Sequence, residues 1–316
     1  MANVLKNVDG IETSSGEILD LEAGIGAAIV ASGGNESVED GVKIHKFTSS
    51  GTFTVTTGGK ADILIVAGGG ASGSSGAAGG GAGGAIPLDQ HELTPGSYTI
   101  VVGGGAPSNG SIWSTSGPGG DSSAFGQTAK GGGSGPGGYS GNGGTGGSGG
   151  GGRLSLPNNE TSSTTSGGAG TTGQGNKGGD AYPNYGGGGG GYSEEGVGFM
   201  GTHSSEGGGP NSKGGDGINW PPGSNDWYAG GGGGGSTIAN ASPGATINDG
   251  QGGKGGGGGG QVATNWRGSR LRDPSHGASN TGGGAGAMVC VFDHFYRNGG
   301  SGVVIIRYPE APNLEV

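Results

Sequence analysis

One cysteine, Cys290, is all that 316 residues offer to sulfur chemistry. An intrachain disulfide framework and a multi-cysteine zinc site are therefore excluded. Charge is scarce: Asp, Glu, Lys and Arg make up 12% of the chain, which is not the charge-rich composition of most disordered proteins. What charge there is sums to −10, the wrong sign for neutralising nucleic-acid phosphates or adsorbing to an anionic lipid surface. No apolar run approaches the ~18 residues of a membrane span, and the first residues carry no signal-peptide pattern. The expectation is a protein made in the cytoplasm, with no readable export signal and no membrane insertion. For an extracellular binder, that fits release by cell lysis. Hydrophobic residues, at 28%, are too few to give a side-chain core along most of the length.

Glycine fills the gap. It supplies 92 residues, against a usual share of about 7%. Whatever orders the middle of the chain must be mainly backbone. Residues 1–41 are mixed, with Ile18, Leu21, Ile25 and Ile29 at near-helical spacing interrupted by Gly24 and Gly26; they read as a short N-terminal attachment segment. Residues 42–316 read as one glycine-rich domain. Its clearest strands lie at about 42–102 and 288–308. Val42 to Phe47 and Thr52 to Thr56 alternate around a Gly-containing turn and predict a hairpin. Ala61 to Ala67 is an apolar run suited to a buried strand, and Ser97 to Val102 follows a Thr94-Pro95-Gly96 turn signal. Met288 to Tyr296 and Gly302 to Tyr308 are candidates at the other end. Together they predict a small β-sandwich-like frame in which Ile63, Ile65, Val303 and Ile305 face one shared core.

Between these strands, over roughly 103–287, non-glycine residues recur every third position: Pro136, Tyr139, Asn142, Thr145 and Ser148 are one such run. Thr171, Gln174, Lys177 and Asp180 repeat the spacing, as do Pro210, Lys213 and Asp216, and Asn248, Gln251 and Lys254. Period three belongs to neither helix nor strand. It is the period of the polyproline II conformation, which makes no hydrogen bonds within its own segment. The backbone groups must then find partners on neighbouring segments, and the missing Cβ of glycine permits that approach. The expected object is mostly irregular and all-β: a sheet frame closing a bundle of polyglycine II helices. A collagen triple helix is excluded by broken runs and only 14 prolines. A flexible Gly/Ser linker is the rival reading. The sustained triplets, dispersed aromatics and flanking strands stand against it.

Five stretches carry a resemblance to a known family: Lys46-Phe-Thr-Ser-Ser-Gly-Thr-Phe-Thr-Val55, Ala61-Asp-Ile-Leu-Ile-Val-Ala-Gly-Gly-Gly70, Tyr98-Thr-Ile-Val-Val-Gly-Gly-Gly105, Gly119-Gly-Asp-Ser-Ser-Ala-Phe125 and Gly299-Gly-Ser-Gly-Val-Val-Ile-Ile-Arg-Tyr308. In this order they resemble the glycine-rich domain of phage tail-fibre and appendage proteins, over about 42–308. In architecture the chain also resembles the tail-fibre adhesins of T-even-like phages, where polyglycine II helices support variable recognition loops. The resemblance implies a virion protein, located in a tail fibre or other surface appendage. It does not extend to the N-terminal segment.

Chemistry is not legible. Glycine saturates Ile65 to Gly70, so G-x-G-x-x-G means nothing there, and no helical pattern follows it. The P-loop pattern is absent. His45, His91, His203, His276 and His294 show no metal-ligand spacing, and Glu194-Glu195 or Asp293-His294 are neighbours in sequence rather than a site. The expectation is no enzyme, no cofactor and no metal. Segments that break the triplets hold Tyr182, Tyr185, Tyr192, Trp220, Trp227, Tyr228, Trp266 and Arg267. Their mix of Tyr, Trp, Ser, Gly and Asn resembles a paratope, and Trp, Tyr and Arg are interface hot-spot residues. These eight are the candidate receptor-binding residues, with Ile218-Asn-Trp-Pro-Pro-Gly-Ser-Asn-Asp-Trp-Tyr228 as the leading segment. Trp220, Trp227, Tyr228 and Trp266 are expected to share one end of the bundle. The partners implied are a host cell-surface receptor (a glycan or an outer-membrane protein) and another virion protein held through 1–41; a homo-oligomer is compatible with both. The alternatives are a purely architectural head fibre or decoration protein, and an ice-binding face. The irregular Pro, Lys, Asp and Asn outward positions disfavour ice.

Overall fold

The computed structural model describes residues 11–12, 18–19, 28–73, 78–108, 116–137, 141–153, 165–181, 185–198, 212–237, 250–263, 270–288 and 297–310. Among the described residues the protein is all-β, with no helix. Strands β1 (Ile11–Glu12) and β2 (Ile18–Leu19) form a minimal antiparallel pair. Next come β3 (Val30–Ser32), β4 (Asn35–Glu39), β5 (Val42–Phe47), β6 (Gly51–Thr57), β7 (Gly59–Val66), β8 (Ala85–Leu93) and β9 (Gly96–Ile100). Shorter strands β10 (Ser122–Ala124), β11 (Gln127–Ala129), β12 (Ile218–Asn219), β13 (Trp227–Tyr228), β14 (Ser236–Thr237), β15 (Val262–Ala263) and β16 (Arg270–Arg272) precede the closing strand β17 (Val303–Pro309). The sequence candidate at 288–296 falls outside the described residues except for Met288, which is buried and not in a strand.

Two sheets make the frame. One has the order β4-β5-β17-β7-β8, the other β3-β6-β9. Strand β17 is the last described strand in the chain, yet it sits at the centre of the larger sheet, antiparallel to β5 and β7. The two ends of the glycine region are thereby tied together. Three expectations change. Strands β5 and β6 are not a hairpin: β5 pairs with β4 and β17, β6 with β3 and β9, so residues 48–50 cross between sheets. Phe47, Phe53 and Val55 all face inward from opposite walls, which a hairpin within one sheet would not need. The frame also starts before the boundary drawn at 41/42, because β3 and β4 pair into both sheets. Their corner is Gly33-Gly34, with φ of +126° and +67°. Such angles suit glycine.

The third change concerns the core. Side chains alternate across a strand, so neighbours on β7 and β17 face opposite ways. Ile63, Ile65, Val304 and Ile306 fill the space between the sheets with Phe47, Phe53 and Leu93. Val303 and Ile305 face the outer surface of the larger sheet, where they join Leu64, Val66, Ala82, Ala85, Trp220 and Tyr228 in a second core. Strands buried on both faces read as continuous apolar runs, and this is why Ile63–Val66 and Val303–Ile306 show no alternation. The Ser122–Phe125 motif is strand β10 and the first turn residue of the β10–β11 hairpin; it packs Phe125 against the Phe53 ring at 6.1 Å and the Tyr98 ring at 5.0 Å. His45 is fully buried between the sheets. Its Nδ1 donates to Gly33 O at 2.8 Å and its Nε2 accepts from Tyr308 Oη at 2.7 Å, the tautomer that a carbonyl on one side dictates.

The rest of the protein is a body of extended glycine-rich passages lying side by side. Their amides look for partners on other passages, and along 78–85 the pattern is regular. Gly79 and Ala82 donate to Gly187 and Gly190; Gly80 and Gly83 donate to Ala285 and Gly282; Gly81 and Gly84 donate to Gly133 and Lys130. These six bonds span 2.7–3.0 Å. Every third amide thus returns to the same neighbour. Carbonyls do likewise: Gly81 and Gly84 accept from Gly70 and Ala67, while Gly79 and Ala82 accept from Gly151 and Ser148. Gly80 accepts from Gly232 on a further passage. At the glycines the spacing leaves no room for side chains, whereas Ala82 turns its methyl into the second core. A Cβ placed at Gly80 would run into the carbonyl oxygen of Gly70.

Candidate functional site

The hydrogen-bond layers give the glycine body two distinct ends. Next to the sandwich lie Ala67, bonded to Gly84, and Gly302, bonded to Gly103. Tight turns also gather there. Ala85 N–H reaches Gln174 O after the turn at 172–174, Gly217 N–H reaches Lys254 O, and Ala229 N–H reaches Thr281 O. At the far end Gly73 donates to Ala78, Ala181 to Thr165, Val197 to Lys213, Gly234 to Ser212, Gln261 to Ala287 and Ser72 to Arg297. These residues flank the longer connections 74–77, 154–164, 182–184, 199–211, 238–249, 264–269 and 289–296. Ser108, held by Asn298, brings the start of 109–115 to the same place. The described residues beside these stretches therefore lie at the end of the body away from the sandwich. Val30 and Pro309 lie at the opposite extremity, beside Thr57 and Val42 at the outer edge of the sandwich.

The five candidates among the described residues do not all come together. Trp220, Trp227, Tyr228 and Tyr192 are at the sandwich end, where Tyr192 N–H donates to Ala229 O. Trp220 is 3% exposed and Tyr228 is 6% exposed; both are core residues laid on the outer face of the larger sheet. Burial, with Asp226 nearby, pushes the Tyr228 hydroxyl up to about 12. Tyr185 sits at the far end but is buried and bridged to Ser236. Tyr182, Trp266 and Arg267 fall outside the described residues; the chain around them, at Ala181 and at the paired Ala263 and Arg270, is at the far end. Of the four residues expected to share one end, Trp220, Trp227 and Tyr228 do so, and Trp266 lies outside the described residues. The hairpin bends back onto an apolar sheet face that needs covering, and burial absorbs the Trp220 and Tyr228 rings while Trp227 stays half-buried.

The hairpin wall is held rigidly. Asn219 Nδ2 donates to Ser224 O at 2.7 Å and to Asp226 O at 2.9 Å, while Asn219 Oδ1 accepts from Gly223 N–H. Lys254 Nζ stands 4.9 Å from the Trp227 ring centre, and the Arg307 guanidinium 5.9 Å from that of Trp220. Where the hairpin stops short of the sheet edge a cleft of ≈360 Å³ opens. Its lining combines apolar Val42, Ile44, Ile305 and Trp220 with the charged Glu39, Asp40, Asp226, Lys46 and Arg307.

The rim of the glycine body has its own chemistry, which triplet spacing alone did not reveal. Outermost passages have amides with no neighbour, and side-chain oxygens take their place. Asp121 accepts from Gly131, Asp180 from Gly167 and Asp216 from Lys254 N–H, at 2.8–2.9 Å. Each carboxylate also holds a lysine: Lys130, Lys177 and Lys213 lie at 2.8, 2.7 and 2.9 Å. The signal was the repeated Lys-Gly-Gly-Asp at 177–180 and 213–216, where period three brings the first and last residues together. Burial opposes the charge on Asp180, but hydrogen bonds from Lys177 and Gly167 outweigh it and hold the carboxyl below its ordinary range. Among the described residues there is no His, Cys, Asp and Glu group that could hold a metal, and no helix long and apolar enough to cross a membrane.

A family model for the glycine-rich domain matches residues 48–309. The chain belongs to the glycine-rich domain family. The match runs from the crossing after β5 to the end of β17. It covers the glycine body and β6–β9 and β17 of the sandwich, while β3, β4 and β5 precede it. No curated protein matches this glycine-rich domain protein.

Proposed function

We propose that this glycine-rich protein is a receptor-binding adhesin of a phage virion, carried at a tail-fibre tip, whose glycine body is a bundle of polyglycine II helices. The threefold return of amide donors supports the bundle. A conformation with three residues per turn sends every third N–H in the same direction, whereas an α-helix would keep its bonds inside one segment and a strand would send them to two sides only. The observation that carries the adhesin reading is polarity. Long connections of irregular composition leave one end of a backbone-crosslinked body, and the chain enters and leaves the sandwich at the other. A rigid platform of this kind lowers the ordering cost of binding a host receptor, be it a glycan or an outer-membrane protein. The sandwich end, with the N-terminal segment 1–41, is then the side for attachment to another virion protein.

One observation favours the architectural alternative, a head fibre or decoration protein. Trp220, Tyr228 and Tyr185 are consumed by packing, which removes three aromatic anchors from any partner. The two readings part in one experiment. Labelled protein is tested for binding to envelope fractions from a bacterial panel, beside a variant whose 199–211 and 238–249 are replaced by Gly-Ser linkers. The adhesin reading expects strain-selective binding that the replacement abolishes at unchanged melting temperature. Binding to no strain, or undiminished binding by the variant, leaves the architectural reading standing.

A further inference from the structure

The cleft between the 218–228 hairpin and the larger sheet has no part in the far-end reading, and its chemistry is distinct. We infer that it is a binding site for a neutral oligosaccharide. The cleft exists because the outer face of the larger sheet is only partly covered. Trp220 and Tyr228 lie over Ile305 and its neighbours, and Ile44 packs against this core. The cover thins there, leaving Val42 and Ile44 half-buried in the lining of the cleft. At ≈360 Å³ it falls within the ~300–1,000 Å³ of small-ligand sites.

Charge complementarity selects the occupant. Three carboxylates, on Glu39, Asp40 and Asp226, line the cleft together with two cations, on Lys46 and Arg307. A polyanion meets the carboxylates and a polycation meets Lys46 and Arg307, so each sign of charge is opposed by part of the lining. A polyol is opposed by none. Each hydroxyl both donates and accepts, and a lining that combines carboxylates, Ser37 and Ser224 hydroxyls, and Lys and Arg donors satisfies both halves. The aliphatic part of the lining, Val42, Ile44 and Ile305, suits the C–H face of a pyranose ring, which a purely charged pocket would leave unmatched. Both walls are fixed before any ligand arrives: one by the β4–β5–β17 ladder, the other by the Asn219 bonds across the hairpin. Little ordering cost then remains for a ligand to meet.

The test is saturation-transfer NMR and calorimetry on the full chain, with maltose, lactose and cellobiose oligomers as neutral probes. Sialyllactose and an oligolysine peptide serve as charged ones. Two variants report on the site: Val42→Trp, which fills the cleft from a half-buried strand position, and Asp226→Ala at an exposed lining position. Neutral-probe binding should fall at least tenfold in both, with melting temperature unchanged in Asp226→Ala. Salt should have little effect on the affinity. Failure to bind any neutral probe, preference for a charged one, or undiminished binding by Val42→Trp overturns the assignment. Because neither substitution touches the far end, adsorption to cells through that end would survive, so the failure of one reading is separable from the failure of the other.

Discussion

In the sandwich, Phe53, Ile63 and Ile306 fill the interior and the backbone pairs along strands. In the glycine body the order is reversed. Backbone groups are the interior, and side chains such as Gln251 and Lys254 stand on the outside. The sandwich is stabilised mainly by burying apolar surface. In the body, ordering a residue costs ~1–2 kcal/mol and a hydrogen bond returns ~0.5–1.5 kcal/mol, so the passages do little better than break even one by one. They hold because each is clamped among several others, with β7, β8 and β17 fixing where the passages begin and end. The comparison teaches that the two regions fail differently: the sandwich tolerates a smaller side chain at a graded cost, and the body tolerates almost no added atom.

The largest effect should follow from adding atoms to the body. Gly80→Val should cost more than ~4 kcal/mol, the range reserved for gross steric or burial faults, because its Cβ meets the Gly70 carbonyl. Gly104→Ala, where a Cβ meets nothing within 4 Å, should stay within ~0.5 kcal/mol. Thermal unfolding of the pair measures the contrast; equal effects would mean that glycine in the body is not a packing requirement.

Next comes the junction between the regions. Trp220→Ala should lower stability by ~3–5 kcal/mol in denaturant titration, as expected for a buried aromatic removed from a core. A near-neutral result would return Trp220 to the exposed binding residues.

The sandwich should also show a pH signature at both limbs, to which the body adds on the acid side through His276, held low by burial and by Arg297 nearby. Burial holds His45 below its ordinary value of 6.5, against the opposing pull of its bond to Gly33. The folded state therefore resists a proton that the unfolded chain takes up, and stability declines as pH falls below 6.5. Burial, with Glu36 and Glu310 nearby, pushes Tyr308 up to about 12, so stability also declines as pH rises from 10 towards 12. Melting temperature against pH should show a plateau between these limbs. His45→Gln should flatten the slope between pH 6.5 and 5. Below pH 4, loss of the depressed Asp121 and Asp180 carboxylates adds a second decline from the rim of the body.

The smallest effect belongs to that rim. Asp216→Ala removes the acceptor for Lys254 N–H and the partner of Lys213, and should cost about 1 kcal/mol or less, shrinking with added salt. A larger and salt-insensitive loss would make the rim part of the interior.

Much of the frame was legible because its signals are local. The apolar runs at 61–67 and 302–308 and the Tyr98 strand stand out against glycine. Strand β8 was missed: Ala85–Leu93 carries Pro87 and reads as a break, though proline is at home on an edge strand, which β8 is. The division of Val303 and Ile305 from Val304 and Ile306 was illegible because an unbroken apolar run does not announce that both faces are covered. The triplets pointed to lateral bonding and to outward residues, which holds for Asp180, Gln251 and Lys254 but not for Pro136 and Ser148, which are buried in the body. Which passage bonds to which is a long-range pairing that identical glycine repeats cannot encode locally. The aromatic residues were the weakest guide, since composition marks Trp220 and Tyr228 as interface-like and only the fold reveals that the interface is internal.

Hydrogen–deuterium exchange along 78–85 tests the backbone core most directly. Gly79, Gly80, Gly81, Ala82, Gly83 and Gly84 have almost no side chain, yet each amide is bonded to another passage. They should exchange as slowly as the central strand amides of Ile63–Val66, and protection should vanish in Gly80→Val. Exchange at random-coil rates through Gly79–Gly84, with β7 still protected, would show a folded sandwich carrying a flexible glycine linker and would contradict the account.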